Sequence, residues 1–196
     1  MNKTLKEIVT ILLVSAGIGL IFNAINPEGV SLIADASRFK VDSTKIKAGD
    51  LSNFKNDPYD TTGKSMPLGN PQIDPKLGFV KPGNIGIVQA KQFYDINALF
   101  IDGRTREEYF AGHIKGAINY PYEEFKMTSP EQKVAITKKF NKNGIIVVYC
   151  GGGTCEVSID LAYELGKLGF KSVNIFLGGW IDWVEAGYPT EIPNQK

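Results

Sequence analysis

Two cysteines that flank a glycine-rich segment are the residues of this sequence best suited to covalent chemistry. Cys150 and Cys155 enclose Gly151, Gly152, Gly153 and Thr154, and the 196-residue chain has no other cysteine. Backbone amides in a glycine loop that leads into a helix N-terminus bind anions. The same partial positive charge favours a thiolate over a thiol, and the thiolate is the nucleophilic form of cysteine. The pattern therefore predicts Cys150 as a nucleophile, with the loop amides around it as an anion site.

A strand and a helix are expected to hold this loop in place. Residues 145–149 form an uninterrupted apolar run, which is typical of a buried strand in a parallel sheet. After the loop, apolar side chains recur at helical spacing until Gly169, at Val157, Leu161, Ala162, Leu165 and Leu168. Cys150 would therefore lie at the carboxyl end of a strand, which is where open parallel sheets bind their ligands.

The segment from residue 84 onward alternates strand and helix patterns. Strands are predicted at residues 85–88, 98–102, 117–119, 145–149 and 173–176. Helices are predicted at residues 89–94, 105–110, 129–140, 156–168 and 180–186. Such alternation predicts an α/β fold, with a parallel sheet that carries helices on both faces.

The N-terminal segment, residues 1–27, has the pattern of a membrane anchor. Residues 8–27 carry no charge, and twenty helical residues span about 30 Å, the thickness of a bilayer's hydrocarbon core. A cleaved secretory signal is the main alternative, but no A-x-A cleavage site directly follows the apolar run; a buried soluble helix is another. Lys3 and Lys6 favour a cytoplasmic N-terminus, and hence a single-pass protein with an extracytoplasmic (periplasmic) domain. Arg38 and Lys40 on the other flank weaken that orientation.

Residues 28–83 differ from the segments on either side. They contain the turn signals Asp57-Pro58, Gly69-Asn70-Pro71, Asp74-Pro75 and Lys81-Pro82-Gly83, with no long apolar periodicity. The segment is interpreted as a loop-rich connector between the anchor and a domain at residues 84–193. Two alternatives remain open: the connector is a tether, or it lies along the surface of the domain.

Composition argues against several classes of site. A formal net charge of +1 without a basic stripe gives no reason to expect nucleic acid as a partner. Two cysteines five positions apart and a single histidine do not match the usual spacing or number of zinc ligands. We therefore expect no metal site and no cofactor.

Three motifs occur in an order that is typical of one family. They are DGRTREEYFAGHIKGAINYP at residues 102–121, the dipeptide Tyr149-Cys150, and LGGWIDWVEAGYP at residues 177–189. Together they resemble the signature of the rhodanese-like (sulfurtransferase) family over residues 84–193. The resemblance implies an α/β fold with a five-stranded parallel sheet, and a cysteine that carries sulfur as a persulfide.

Three residues of the first motif are interpreted as structural. Asp102 and Arg104 are suited to a partly buried ion pair that braces the loops. His113 invites a catalytic interpretation because histidine titrates near neutrality. In the family, however, this histidine belongs to a helix–turn junction, and the sequence shows no nearby acid–base partner for it. A structural role is therefore preferred for His113.

The loop departs from the pattern of active rhodaneses, which usually run C-x-x-x-x-R or carry another cation. Here Cys155 and Glu156 stand in its place. A missing charged hydrogen bond weakens anion binding by roughly 1.5–3 kcal/mol, so thiosulfate is a less suitable donor than polysulfide or a persulfide. Related phosphatases and arsenate reductases have a longer loop that ends in arginine. No arginine follows Cys150 anywhere in this chain, which argues against phosphatase activity.

The combined prediction is a membrane-anchored protein that carries or transfers sulfane sulfur, a sulfurtransferase of the thiosulfate or persulfide type. Cys150 is the predicted persulfide carrier, and Cys155 is a predicted thiol that resolves the persulfide to a disulfide. The expected partners are a small sulfur donor, a persulfide or thiol acceptor, and a protein donor or acceptor. Two alternatives remain open: a non-catalytic rhodanese-like binding module, and a dithiol–disulfide redox protein.

Overall fold

The structure is a computed structural model that describes residues 3–26, 39–41, 51, 56–62, 69–153 and 155–193. The chain divides into two compact units, Met1–Arg38 and Phe39–Lys196. The described part of the first unit is dominated by one helix, α1 (Lys3–Ile25). All other helices and strands that the structure describes belong to the second unit.

Helix α1 is long and apolar enough to cross a membrane. It has 23 residues, none of them buried within the protein. At a rise of 1.5 Å per residue, such a helix spans about 35 Å, slightly more than the hydrocarbon core of a bilayer. An N-terminal signal sequence has the same length and composition. Helix α1 is therefore a candidate membrane span or signal sequence, and the predicted orientation remains a prediction.

Five parallel strands form the main sheet of the second unit, as the resemblance implied. They are β1 (Gly83–Ile85), β2 (Leu99–Asp102), β4 (Ile118–Asn119), β5 (Ile145–Tyr149) and β6 (Ser172–Phe176). Their spatial order is β1-β6-β5-β2-β4, and every neighbouring pair is parallel. Strand β5 is the central strand, and all five of its residues are buried. The central position explains the uninterrupted apolar run, because both faces of β5 are covered.

Helices cover both faces of this sheet. They are α2 (Ile87–Asp95), α3 (Arg106–Ala111), α4 (Tyr122–Met127), α5 (Pro130–Thr137), α6 (Val157–Lys167) and α7 (Gly179–Glu185). Ile146 and Val148 of β5 pack with Leu161 of α6 on one face. Val147 and Tyr149 pack with Trp183 of α7 on the other. Successive strand residues point to opposite faces, so β5 contributes to both cores.

The observed elements differ from the predicted ones in the ends of two elements and in one additional pair of short strands. Strand β1 ends at Ile85 instead of continuing to residue 88, because Gly86 caps α2 and its N–H donates to the Gln89 side chain at 3.3 Å. Helix α5 ends at Thr137, before the predicted residue 140. The short antiparallel pair of β3 (His113–Ile114) and β7 (Thr190–Glu191) was not predicted, since two-residue strands have no periodicity of their own.

The described residues of the predicted connector contact the α/β domain. The side-chain oxygen of Asn56 accepts a hydrogen bond from the N–H of Ile145, the first residue of β5, at 2.9 Å. The N–H of Asn141 donates to the carbonyl of Pro58 at 2.8 Å. Phe79 packs edge-on against Tyr163 of α6 at 6.0 Å between ring centroids. These parts of the segment lie along the domain, whereas the boundary at residue 84 stays a prediction.

Candidate functional site

Strand β5 brings Cys150 to the carboxyl edge of the sheet, at its centre. The preceding residue, Tyr149, is in register with Asp102 at the end of β2 and with Phe176 at the end of β6. The Cys150 residue is only 1 % exposed. The central strand thus delivers the cysteine to the edge where parallel sheets bind ligands, but with its sulfur enclosed by neighbouring elements.

The glycine loop after Cys150 is fastened to the start of α7. The N–H of Trp180 donates to the Cys150 carbonyl at 2.8 Å, and the N–H of Ile181 donates to the Gly151 carbonyl at 3.1 Å. Gly152 has a φ of +111°, and a Cβ there would overlap the carbonyl of Gly178. Glycine is therefore required at Gly152 both by its backbone conformation and by the close approach of the two backbones.

The two cysteines form a disulfide across this loop. Their Cα atoms are 6.6 Å apart, within the range that a disulfide spans. Cys155 is partly exposed, whereas Cys150 is buried. The N–H of Cys155 donates to the Gly152 carbonyl at 3.4 Å, so this amide closes the loop on itself and is not directed at a ligand.

The predicted anion site consists of the remaining loop amides. Among the hydrogen bonds between described residues, none is donated by the amides of Gly151, Gly152 or Gly153. The Gly152 nitrogen lies against Gly179, where an added Cβ would approach it to 2.7 Å, and the role of these amides in anion binding stays a prediction. Thr154, which was predicted to contribute a fourth amide, lies outside the described residues.

Ser158 is a candidate site residue that sequence reasoning missed. Its hydroxyl oxygen lies 3.4 Å from Cys150 Sγ, and the residue is 1 % exposed. Ser158 belongs to the first turn of α6, on the same helical face as the buried Leu161 and Ala162. The sequence could have indicated Ser158, because it lies three and four residues before Leu161 and Ala162 and so shares their apolar helix face. A serine on such a face, next to the loop of a nucleophile, is expected to have a buried hydroxyl. The hydroxyl is placed to donate to a sulfur anion on Cys150.

Asp102 and Arg104 form a buried, bidentate ion pair beside the cysteine loop. Arg104 Nη2 lies 2.7 Å from Asp102 Oδ2 and donates a second hydrogen bond, also 2.7 Å, to the carbonyl of Gly112. The guanidinium carbon lies 5.0 Å from the ring centroid of Trp180, at the start of α7. Burial alone would lower the pKa of Arg104, but the hydrogen bond and charge of Asp102 raise it above the usual value. The pair links the end of β2 to the turn before β3 and to α7.

His113 lies between α3 and the small antiparallel sheet. Its ring stacks on that of Tyr109 at 3.7 Å between centroids, and its Nδ1 lies 3.0 Å from the Tyr109 carbonyl. Its Nε2 is 4.0 Å from a carboxylate oxygen of Glu191 on β7. None of the described contacts joins His113 to Cys150. Glu191 could not have been found from sequence, because the pairing of β3 with β7 alone brings it to the histidine.

A cavity of about 670 Å³ lies away from the cysteine loop, at the amino end of β2. Its described lining residues include Asn56, Tyr59, Tyr94, Asn97 and Lys115. None of them is a predicted site residue. Among the residues that the structure describes, no three His, Cys, Asp or Glu side chains come together as metal ligands.

Several proteins of known sequence are similar to the second unit. The chain is 28% identical over 116 residues to thiosulfate sulfurtransferase 16 of Arabidopsis thaliana. This match covers 56% of this chain and 93% of that protein. It is 29% identical to the protein HIGH ARSENIC CONTENT 1 of the same plant, over 56% of this chain and 66% of the relative. A tRNA uridine(34) hydroxylase of Hamiltonella defensa is 38% identical over 50% of this chain, but only 27% of the hydroxylase is matched.

Solved structures include similar domains. A rhodanese-related protein from Thermoplasma volcanium is 24% identical, with a TM-score of 0.45 over 56% of this chain and 98% of that one. A human single-domain sulfurtransferase is 23% identical, with a TM-score of 0.43 over 52% of this chain and 95% of that one.

A family model described as the rhodanese-like domain matches residues 88–186, which is about half of the chain. The matched segment runs from α2 to α7 and includes Asp102, Arg104, His113 and both cysteines. The chain belongs to the rhodanese-like domain family.

Proposed function

We propose that this protein carries sulfane sulfur on Cys150, as a persulfide, and transfers it to a thiol acceptor. Membership of the rhodanese-like family and the similarity to a sulfurtransferase support a sulfur-related, rhodanese-type function. One observation carries the assignment to this residue. Cys150 ends the central strand at the glycine loop, with the hydroxyl of Ser158 3.4 Å from its sulfur. A thiolate there is stabilised by hydrogen bonds and by the partial positive charge at the start of α6.

The proposed reaction consists of two displacements at sulfur. In the first, the Cys150 thiolate attacks the outer sulfur of a persulfide or polysulfide, the donor's S–S bond breaks, and the donor leaves as a thiolate or a shorter polysulfide. In the second, an acceptor thiolate attacks the outer sulfur of the Cys150 persulfide and regenerates the Cys150 thiolate. Ser158 and the amides of Gly151–Gly153 hold the negative sulfur in both steps. No general base is required, because the attacking groups are already anions.

The composition of the loop supports a donor that has no sulfonate group, unlike thiosulfate. The loop residues after Cys150, 151–156, contain no lysine or arginine, and Glu156 is acidic. A sulfonate group in this position would lack a charge-assisted hydrogen bond, which is worth roughly 1.5–3 kcal/mol. Polysulfide and low-molecular-weight or protein persulfides have no sulfonate group, and the hydroxyl of Ser158 and the loop amides are the proposed donors to their terminal sulfur.

Helix α1 supports the proposal that this chemistry takes place at a membrane. Its length and apolar composition suit a single span. Lys3 and Lys6 at its start favour a cytoplasmic N-terminus and therefore an extracytoplasmic rhodanese-like domain. On that side of a bacterial membrane, the disulfide between the two cysteines would also persist.

Intact mass spectrometry of the full chain in detergent tests the proposal. The protein is reduced, freed of reductant and exposed to polysulfide or to thiosulfate. We expect Cys155→Ser, which has no resolving thiol, to gain one sulfur from polysulfide, and Cys150→Ser to gain none. A sulfur gain that persists in Cys150→Ser, or the absence of any gain in Cys155→Ser, would contradict a Cys150 carrier.

The disulfide favours one second candidate, a dithiol–disulfide redox protein. In that case the reduced chain loses two hydrogens on oxidation, as Cys150 and Cys155 bond, and neither cysteine retains sulfur from polysulfide. The same spectra separate the two functions, because a persulfide adds mass and disulfide formation removes it. Cys155→Ser is the informative variant, since it has no intramolecular route to a disulfide.

A further inference from the structure

The two sulfur atoms of the disulfide lie in different surroundings. Cys150 Sγ belongs to a residue that is 1 % exposed, and the hydroxyl of the equally buried Ser158 lies beside it. Cys155 is partly exposed, at the outer end of the glycine loop. A thiolate that cleaves a disulfide must reach the attacked sulfur in line with the S–S bond, so access decides which sulfur is attacked.

We propose that the disulfide is opened by an external thiol that attacks Cys155, with Cys150 as the leaving sulfur. The new bond joins the thiol's sulfur to Cys155 Sγ, the Cys150–Cys155 bond breaks, and its electron pair remains on Cys150 as a thiolate. A second thiolate then removes the first from Cys155, and the two external thiols leave as their disulfide. The reductant is thus a thiol of the glutathione class or a dithiol, and it is oxidised by two electrons.

The leaving group supports the same direction of attack. A thiol that is stabilised as its anion leaves faster from a disulfide. The hydroxyl of Ser158 lies 3.4 Å from Cys150 Sγ, whereas the amide of Cys155 already donates to the Gly152 carbonyl. The anion therefore develops beside a hydroxyl that can donate to it. Attack at Cys150 would instead leave the anion on Cys155 and would require the reductant to enter beside α6.

This order of events has a consequence for sulfur transfer, and this part rests on the proposed function. Opening at Cys155 produces the Cys150 thiolate, which is the form that accepts sulfane sulfur. Once Cys150 carries a persulfide, the Cys155 thiolate attacks Cys150 Sγ, restores the disulfide and releases the outer sulfur as hydrosulfide. Each turn would then consume one sulfane sulfur and two thiols and yield one sulfide and one external disulfide.

Rapid acid quenching of the oxidised full chain in detergent tests the direction of attack. Glutathione is added, the mixture is quenched within seconds, free thiols are alkylated, and peptides are mapped by mass spectrometry. We expect glutathione on Cys155 and the alkyl group on Cys150, with at least about a tenfold excess over the reverse pattern. Glutathione on Cys150, or an equal distribution between the cysteines, would overturn the proposal.

Sulfur uptake from polysulfide, measured in parallel, keeps the two proposals distinguishable. Oxidised wild type, whose Cys150 is held in the disulfide, is expected to gain no sulfur, whereas Cys155→Ser gains one sulfur without thiol treatment. If glutathione maps to Cys155 but no variant gains sulfur, the direction of attack stands and the sulfur-carrier function fails. If Cys155→Ser gains sulfur but glutathione maps to Cys150, the carrier function stands and the direction of attack is wrong.

Discussion

The hydroxyl oxygen of Ser158 lies 3.4 Å from Cys150 Sγ, and both residues are 1 % exposed. The contact joins the end of the central strand β5 to the first turn of helix α6 across the glycine loop. In a site without a cationic side chain in the loop, a buried hydroxyl is a strong means of stabilising a sulfur anion, because water cannot compete with it.

Replacement of Ser158 by alanine should slow the chemistry of Cys150 without removing the cysteine. The lost hydrogen bond to an anion is worth about 1.5 kcal/mol or more, so alkylation of Cys150 near neutral pH should fall by about tenfold. The pH at which alkylation reaches half of its maximum should rise. Ser158→Thr keeps the hydroxyl and serves as the control. The proteins with Ser158, Ser158→Ala and Ser158→Thr all also carry Cys155→Ser, so that Cys150 is the only cysteine that can be alkylated. An unchanged pH profile in Ser158→Ala would show that the hydroxyl does not stabilise the thiolate.

A methyl group at Gly152 should damage the loop more than one at Gly153. Both residues have positive φ, +111° and +66°, but an added Cβ overlaps the Gly178 carbonyl only at Gly152. We expect Gly152→Ala to lower the free energy of unfolding by about 2–4 kcal/mol, through backbone strain and overpacking. Gly153→Ala has open space around the added atom and should cost about 1 kcal/mol. Denaturant titration followed by tryptophan fluorescence measures both, and equal losses would contradict the close approach of the two backbones.

Asp102→Asn should destabilise the domain by about 3–5 kcal/mol, because it leaves the buried guanidinium of Arg104 without its counter-charge. The exposed pair of Arg106 and Glu124 offers a matched comparison. Glu124→Gln removes a similar bidentate contact in solvent, and we expect little change in stability. The same denaturant titration measures both variants. A loss in Asp102→Asn no larger than that in Glu124→Gln would show that the buried pair does not brace the loops.

The stability of the domain should depend on pH through Glu164. Its carboxylate lies 2.7 Å from the ammonium groups of both Lys133 and Lys167. Burial alone would raise the pKa of Glu164, but these two partners lower it below its usual 4.5. A lowered pKa in the folded state means that the stabilisation is complete above pH 4.5 and is lost as the pH falls through the lower, folded value.

Glu164→Gln should therefore be less stable than wild type at pH 7, by about 0.5–1 kcal/mol. The two stability curves should converge as the pH falls below 4.5. Denaturant titrations at several pH values check both statements. A constant difference between the curves down to strongly acidic pH would contradict the proposed ion pairs.

Deletion of residues 1–27 should release the protein from membranes if α1 is a retained anchor. The full chain should stay in the membrane pellet after extraction at alkaline pH, and the truncated chain should appear in the soluble fraction. The mass of the membrane-bound protein provides the control, because a cleaved signal would shorten the chain. A full chain found in the soluble fraction would contradict the anchor.

Much of the fold could be predicted because its signals are local. The apolar run of β5 and the helical spacing of Leu161 and Leu165 depend only on neighbouring residues, and both elements were predicted close to their observed bounds. The placement of Cys150 at a strand end follows from them. Two-residue strands such as β3 and β7 escaped prediction, because their hydrogen bonds come from a partner elsewhere in the chain.

By itself, the sequence determined the order of strands and helices, the parallel sheet that such alternation requires, and the thiol at the mouth of a glycine loop. Only the tertiary structure decided what surrounds that thiol. Gly152 must be glycine because a Cβ there would overlap the carbonyl of Gly178. The carboxylate beside His113 belongs to Glu191, on the partner strand. The hydroxyl of Ser158 reaches Cys150 only because α6 packs against β5. These contacts do not follow the repeat of a helix or a strand, so no sequence pattern announces them. They form only when the packing of the two cores brings the elements together.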